Sequence, residues 1–289
     1  MPSLSDIRRR IGSVKNTRKI TRAMKLVASA KLKRAKDAAM AAQPYQQTLQ
    51  RVLGRVVTAV DDVQHPLLNT PTSDNNILVV YIATDRGLCG GFNNQLQKHT
   101  LRQIRQLEAA GKTVHLAVFG KKGNGFFKAR ELHIQDSTVD ITPEQFDQLS
   151  TDLTDRLARE FGDGTYDRVY LAYSTFVSTM TQTPGFHQIL PMTLQDSDDD
   201  AAGGGGDYLF EPEAQGILDD LLPRALRTTL FQAFLDKEAG EQAARMQAMD
   251  SATRNAGDLI DKLTLKYNRA RQAAITKELI EIVAGAEAL

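Results

Sequence analysis

From Glu213 to Leu289 the chain has no proline after Pro223 and no cluster of turn residues, and its apolar residues recur at alternating spacings of three and four. The walk Leu218, Leu221, Ala225, Thr228, Gln232, Leu235, Ala239, Gln242, Met246, Met249, Thr253, Ala256, Ile260, Leu263, Tyr267, Ala270, Ala274, Lys277 meets 13 apolar residues in 18 positions, against 42% hydrophobic residues in the whole chain. That is a heptad seam, and it predicts one long helix. At about 1.5 Å per residue the helix is roughly 110 Å long, too long to fold back into a core of its own. The same walk from Ile7 reads Ile7, Ile11, Val14, Arg18, Thr21, Lys25, Ala28, Leu32, Ala35, Ala39, Ala42, Gln46, Leu49, Leu53, Val56 and Val60, apolar at 12 of 16 positions, so the chain begins with a second seam-bearing helix. Everything between the two helices must be accommodated at one end of the pair. The expected fold is therefore α/β: a long antiparallel coiled coil of N- and C-terminal helices with a Rossmann-like mixed-sheet α/β domain at its foot. The C-terminal helix is the longer, and its last turns, with Ile275, Leu279, Ile282, Val283 and Ala286, are expected to overhang the partner helix and to invite another protein.

Between the seams the pattern changes period. Ser5 or Asp6 caps the first helix, which runs to about Ala42 and kinks at Pro44 before continuing to Val60. The polar stretch from His65 to Asn76 is a loop, and Ile77 to Ala83 is an unbroken β-branched run that predicts a strand buried on both faces. A glycine-bearing turn, TDRGLCGGFN from Thr84 to Asn93, leads into a helix from about Asn94 to Ala110, with Lys112 beyond it expected to face solvent, and then a strand from Val114 to Phe119. This is a βαβ unit. Thr142, Pro143 and Gln145 form a capping box that starts a helix reaching Phe161. Arg168 to Tyr173, Phe176 to Thr183 and Gln188 to Leu190 read as strands. The segment DSDDDAAGGGG, Asp196 to Gly206, is too polar to pack. The expected divisions are an N-terminal coiled-coil helix (1–64), an α/β domain (76–195), a flexible loop (196–206) and a C-terminal coiled-coil helix (207–289).

Charge alters this picture in one place. The formal net charge is only +1, yet Arg8, Arg9, Arg10, Lys15, Arg18, Lys19, Arg22, Lys25, Lys31, Lys33, Arg34 and Lys36 follow one another with no acidic residue among them. With no glutamate four residues from any of them the run repels itself, so an acidic or polyanionic partner explains it better than a solvated face does. No window approaches 18 apolar residues, and the basic N-terminus carries the seam in place of an apolar signal core, so a soluble, cytosolic chain is expected. The single cysteine, Cys89, rules out an intramolecular disulfide, and the five histidines lack ligand spacing.

Candidate chemistry is thin. A strand followed by glycines and a helix is where nucleotide enzymes hold phosphates, but Gly87, Gly90 and Gly91 do not make G-x-G-x-x-G, and Gly120 to Gly125 is followed by Phe126 where a P-loop needs lysine. The glycines are better explained as allowing positive φ and close helix-to-strand packing. A small-molecule enzyme would need a triad, metal set or phosphate loop that the chain does not offer. A nucleic-acid-binding coiled coil would account for the basic run and leave the apolar tip unexplained.

Three blocks carry a resemblance: IGSVKNTRKITRAMKLVASAKLKRA from Ile11, TDRGLCGGFN from Thr84, and ARQAAITKELIEIVAGAEA from Ala270, the last containing Ile275, Thr276, Glu278, Glu281, Gly285 and Ala286. With DYLFEP from Asp207 and EQAARMQAM from Glu241, they make the chain resemble the γ subunit family of bacterial F-type ATP synthases over nearly its full length; the DDDAAGGGG segment looks like an insertion, and the cysteine-bearing regulatory segment of chloroplast members is absent. The resemblance implies a central-stalk rotor without a catalytic site, cofactor or metal of its own. In such a rotor the coiled coil lies inside a hexamer of α and β subunits and the foot sits on the c-subunit ring beside ε. It implies that Arg271, Gln272, Thr276 and Glu278 engage the catch region of β, that Met24, Lys25 and neighbouring bases meet the acidic lever of β, and that Tyr208 and Glu211 face the c ring and ε. It further implies proton-driven rotation coupled to ATP synthesis, no nucleic-acid partner, and a peripheral position at the cytoplasmic face of the bacterial inner membrane, with membrane contact only through the c ring.

Overall fold

The computed structural model of the chain describes residues 3–58, 65–71, 73–193 and 214–287. They form two compact units, one of residues 31–244 and one of residues 1–30 with 245–289. The elements are α1 (Leu4–Thr58), β1 (Asn76–Ile82), α2 (Phe92–Ala109), β2 (Thr113–Phe119), α3 (Lys121–Lys128), β3 (Ile134–Thr138), α4 (Phe146–Gly162), β4 (Arg168–Phe176), β5 (Gln182–Leu190) and α5 (Ala214–Glu287).

The larger unit is built on a five-stranded sheet of order β3-β2-β1-β4-β5. The first four strands are parallel, and β5 returns antiparallel beside β4. The run beginning at Ile77 is central because it is apolar on both faces: Leu78, Val80 and Ile82 pack toward α1, α4 and α5, while Ile77, Val79 and Tyr81 pack toward α2 and α3. Phe234 of α5 anchors the first face, stacked on Phe146 at 5.4 Å and edge-on to Phe119 at 5.5 Å. The predicted capping box is present, and its Pro143–Gln145 turn is a 3-10 helix that leads into α4.

Several local expectations need correction. The run from Phe176 to Thr183 is not one strand: Phe176 ends β4, pairs with Gln182, and residues 177–181 form the turn of a β4–β5 hairpin. The short strand expected at 188–190 is the end of β5. Helix α3 and strand β3 were not anticipated, because KKGNGFFK carries two glycines and IQDST is a half-buried, polar edge strand. Lys112 does not face solvent freely; with Arg168 it holds the carboxylate of Asp74, at 2.9 and 2.5 Å.

Within the smaller unit the two helices run antiparallel, since pairing residues move in opposite directions along the chain. Lys25 Nζ meets Asp250 at 2.5 Å, and one turn back the Thr253 hydroxyl donates to Thr21 at 2.7 Å. The predicted seam residues face the contact, with Ile7, Ala28, Met249, Ala256 and Ile260 buried. The small side chains let the helices approach closely but bury little area, so this seam is only modestly stabilising.

Candidate partner interface

The paired residue numbers in the smaller unit sum to 274 or 275, so Leu4 at the start of α1 comes level with about residue 271 of α5. From there on, the described part of α1 offers α5 nothing to pack against. Ile275, Leu279, Ile280, Ile282 and Val283 stand between 48% and 67% exposed. Five large aliphatic side chains left in water within nine residues are a patch that a partner would cover. Arg271, Gln272, Thr276 and Glu278 are exposed on the same turns, and the Thr276 hydroxyl donates back to the Gln272 carbonyl at 2.9 Å.

The outer face of α1 in this unit is basic and apolar together. Arg8, Lys15, Lys19 and Arg22 are exposed, and so are Ile20, Leu26 and Val27, each at about 60%. The seam reading passed over these three; their signal is that they are apolar but out of phase with the seam. Met24 and Lys25 are half-buried. Lys25 already has a partner in Asp250, whose pKa the hydrogen bond and charge of Lys25 hold below the ordinary carboxylate range, with Arg254 adding to the effect. Two members of the basic run are therefore met by carboxylates, Lys25 by Asp250 of α5 and Arg9 by Asp6 of α1 itself, at 2.7 Å. Tyr208 and Glu211 lie outside the described residues, as does the Asp196 to Gly206 segment.

The C-terminal edge of the parallel strands, where an α/β sheet holds a nucleotide, is closed by the protein's own groups. Asp85 accepts the backbone N–H of Lys121, which opens α3, at 2.9 Å, and those of Asp140 and Ile141 at 3.0 Å. Thr84 donates to the Arg86 carbonyl at 2.7 Å and accepts from Asn93 at 2.8 Å. Positive φ is used at Gly90 and, unexpectedly, at Leu88, not at Gly87 or Gly91. A cleft of about 570 Å³ on the larger unit is lined by Ala42, Tyr45, Thr228 and Phe231 together with Arg224 and Arg227, but Arg227 is paired with Asp147 at 2.5 Å and Arg224 with Asp220 at 2.9 Å. Among the described residues no group of three or more His, Cys, Asp or Glu is placed to hold a metal, and no helix is long and apolar enough to cross a membrane. The exposed surface of the smaller unit is thus the chemically distinctive feature, and it is suited to binding protein.

The chain is similar to known proteins over its full length. The ATP synthase family profile matches residues 3–289. The ATP synthase gamma chain of Sinorhizobium medicae is 44% identical over 295 residues, that of Paracoccus denitrificans 44% over 294 and that of Rhizobium rhizogenes 46% over 295, each covering all of both chains. Among solved structures, a chain of the Euglena gracilis mitochondrial ATP synthase, from the OSCP/F1/c-ring assembly in rotational state 3, superposes with TM-score 0.68 at 19% identity over 99% of this chain and 94% of its own. A chain of that enzyme's rotor in rotational state 1 gives TM-score 0.62 at 20% identity, covering 94% and 98%. A chain of the Tetrahymena thermophila central stalk and c ring gives 0.56 at 22%, covering 81% and 99%.

Proposed function

This chain belongs to the ATP synthase gamma-chain family, and from that premise we propose that it is the central-stalk rotor of a bacterial F-type ATP synthase, coupling proton-driven rotation of a c ring to ATP synthesis at β subunits. The observation that carries the reading is the exposed aliphatic end of α5, which this chain leaves uncovered and a sleeve of α and β subunits would bury. Arg271, Gln272, Thr276 and Glu278, spaced along the same turns, supply the polar contacts to β. Met24 and the exposed bases of α1 meet an acidic segment of β, and the apolar Ile20, Leu26 and Val27 give that contact a desolvated centre. Tyr208 and Glu211 address the c ring and ε. In this reading the chain performs no chemistry and touches the membrane only through the c ring, at the cytoplasmic face of the bacterial inner membrane.

The rotor reading rests on shape and charge. Rotation against three β subunits in turn requires a surface that differs around its circumference, and the outer face of α1, basic and apolar, differs from that of α5, which carries acidic and basic residues together and ends in an exposed aliphatic patch. The test is co-expression with α and β subunits. The chain should co-purify with both, and the assembly should hydrolyse ATP while the chain alone does not. Turnover by the isolated chain that disappears on mutating one of its own residues would overturn the proposal.

A further inference from the structure

The middle of α5 is enclosed by the larger unit. From Leu230 to Ala244 the helix is buried on nearly every side, including Asp236 at 5%, Lys237 at 3% and Glu241 at 5% exposure. One stripe of this segment touches three separate elements at the edge of the sheet. The Asp236 carboxylate accepts from Gln232 Nε2 at 2.8 Å and is held as well by the backbone N–H of Phe176, the last residue of β4. One turn on, Gly240 leaves no room for a side chain: a Cβ there would lie 2.7 Å from the Phe92 ring at the start of α2 and 3.4 Å from Gln182 at the start of β5. Another turn on, Ala244 packs with Phe92 and Cys89.

We propose that Asp236 and Gly240 are positioning residues that lock α5 to the α/β domain in one rotational register, so that torque applied to the domain turns the helix without slip. The proposal rests on the rotor reading above. Apolar packing is non-directional, and a helix held by it alone can shift about its axis at modest cost. Gln232 turns with the helix, but the Phe176 N–H is fixed in β4, so Asp236 cannot turn away without leaving that donor and the carboxylate oxygen it met desolvated and unpaired. Burial raises the pKa of Asp236, with the Gln232 amide and the Phe176 backbone N–H opposing the rise, so the carboxylate costs the fold stability where an apolar residue would not. Lys237, paired within α5 to Glu238 at 3.3 Å and Glu241 at 3.5 Å, meets the domain on the neighbouring face over the Phe146 ring.

The experiment uses inverted membrane vesicles holding the assembled enzyme and reads ATP-driven proton uptake per ATP hydrolysed, normalised to complex content. Asp236→Leu and Gly240→Val should assemble, hydrolyse ATP and pump about threefold less per ATP. Asp236→Asn, which keeps an acceptor for the Phe176 N–H, should pump near the wild-type ratio. A role in folding alone would lower complex content and leave the ratio untouched. The lock is overturned if the wild type couples and every assembled variant matches it, or if Asp236→Asn is as uncoupled as Asp236→Leu. It is also overturned if neither Asp236→Leu nor the milder Asp236→Ser assembles, since the residue would then be a folding determinant only. A wild-type chain that enters no complex, or a complex that pumps nothing, would break the rotor reading instead.

Discussion

Leu96 and Leu279 are both leucines on helices, yet the first is completely buried in the larger unit and the second is 56% exposed in the smaller one. The contrast extends to whole regions. In the α/β unit every residue of β1 from Ile77 to Ile82 is at most 1% exposed, and Phe234 is clasped by Phe119 and Phe146. In the two-helix unit the seam is made partly of Ala28, Ala256, Thr21 and Thr253, while Ile20, Leu26, Val27, Leu265 and the end of α5 face water. A buried Leu or Ile stabilises by roughly 1.5 to 3 kcal/mol. One region therefore completes its own core, and the other keeps much of its apolar surface for something else.

Substitutions should separate the two regions sharply. The largest effect is expected at Phe234→Ala, which removes a ring at zero exposure and should destabilise the free chain by about 3 to 5 kcal/mol, read as a lowered denaturant midpoint. A loss below about 1 kcal/mol would mean that the ring cluster is not the anchor of the core. Ile282→Ser, at 67% exposure, should leave that midpoint within about 0.5 kcal/mol, yet weaken association with α and β subunits by roughly tenfold. Equal stability losses at Phe234 and Ile282 would erase the distinction between the regions.

A finer comparison sets Arg271→Ala against Lys98→Ala, both exposed on helices. Lys112 is unsuitable as the solvent-facing reference because it is paired with Asp74. If Arg271 makes a desolvated hydrogen bond to β, its loss costs the assembled enzyme about 2 to 5 kcal/mol in binding or turnover, whereas Lys98→Ala changes neither. The smallest effect is the pH dependence of the two-helix unit. The folded-state pKa of Asp250 is depressed, so the stability from its pair with Lys25 is present above the ordinary carboxylate pKa and lost as pH falls through the lower folded value. Far-UV circular dichroism of wild type and Asp250→Asn should differ slightly near neutrality and converge in strong acid.

The sequence pattern reveals the two regions unequally. The β1 run, the turn at Thr84 and the box at Thr142 are legible because each combines propensity with pattern. Strand β3 and helix α3 are not, since a polar edge strand and a helix with two glycines earn their conformation from neighbours. The hairpin was obscured because Val177 and Met180 extend a β-favouring run through a turn where both stand exposed. In α5 the seam located the helix but concealed the burial of Asp236, Lys237 and Glu241, because periodicity records one face and these residues are enclosed on several. At the candidate interface the overhanging apolar end was readable from helix lengths. The pairing of Lys25 with Asp250 was not, because 225 residues separate the two in sequence.

Hydrogen exchange on the free chain and on its assembly with α and β subunits tests the central claim most directly. Amides of residues 272–283 should exchange quickly in the free chain and become strongly protected on assembly, while those of β1, already buried, change little. Exchange at the end of α5 that stays as fast in the assembly as in the free chain would contradict the assignment of that surface to a subunit sleeve.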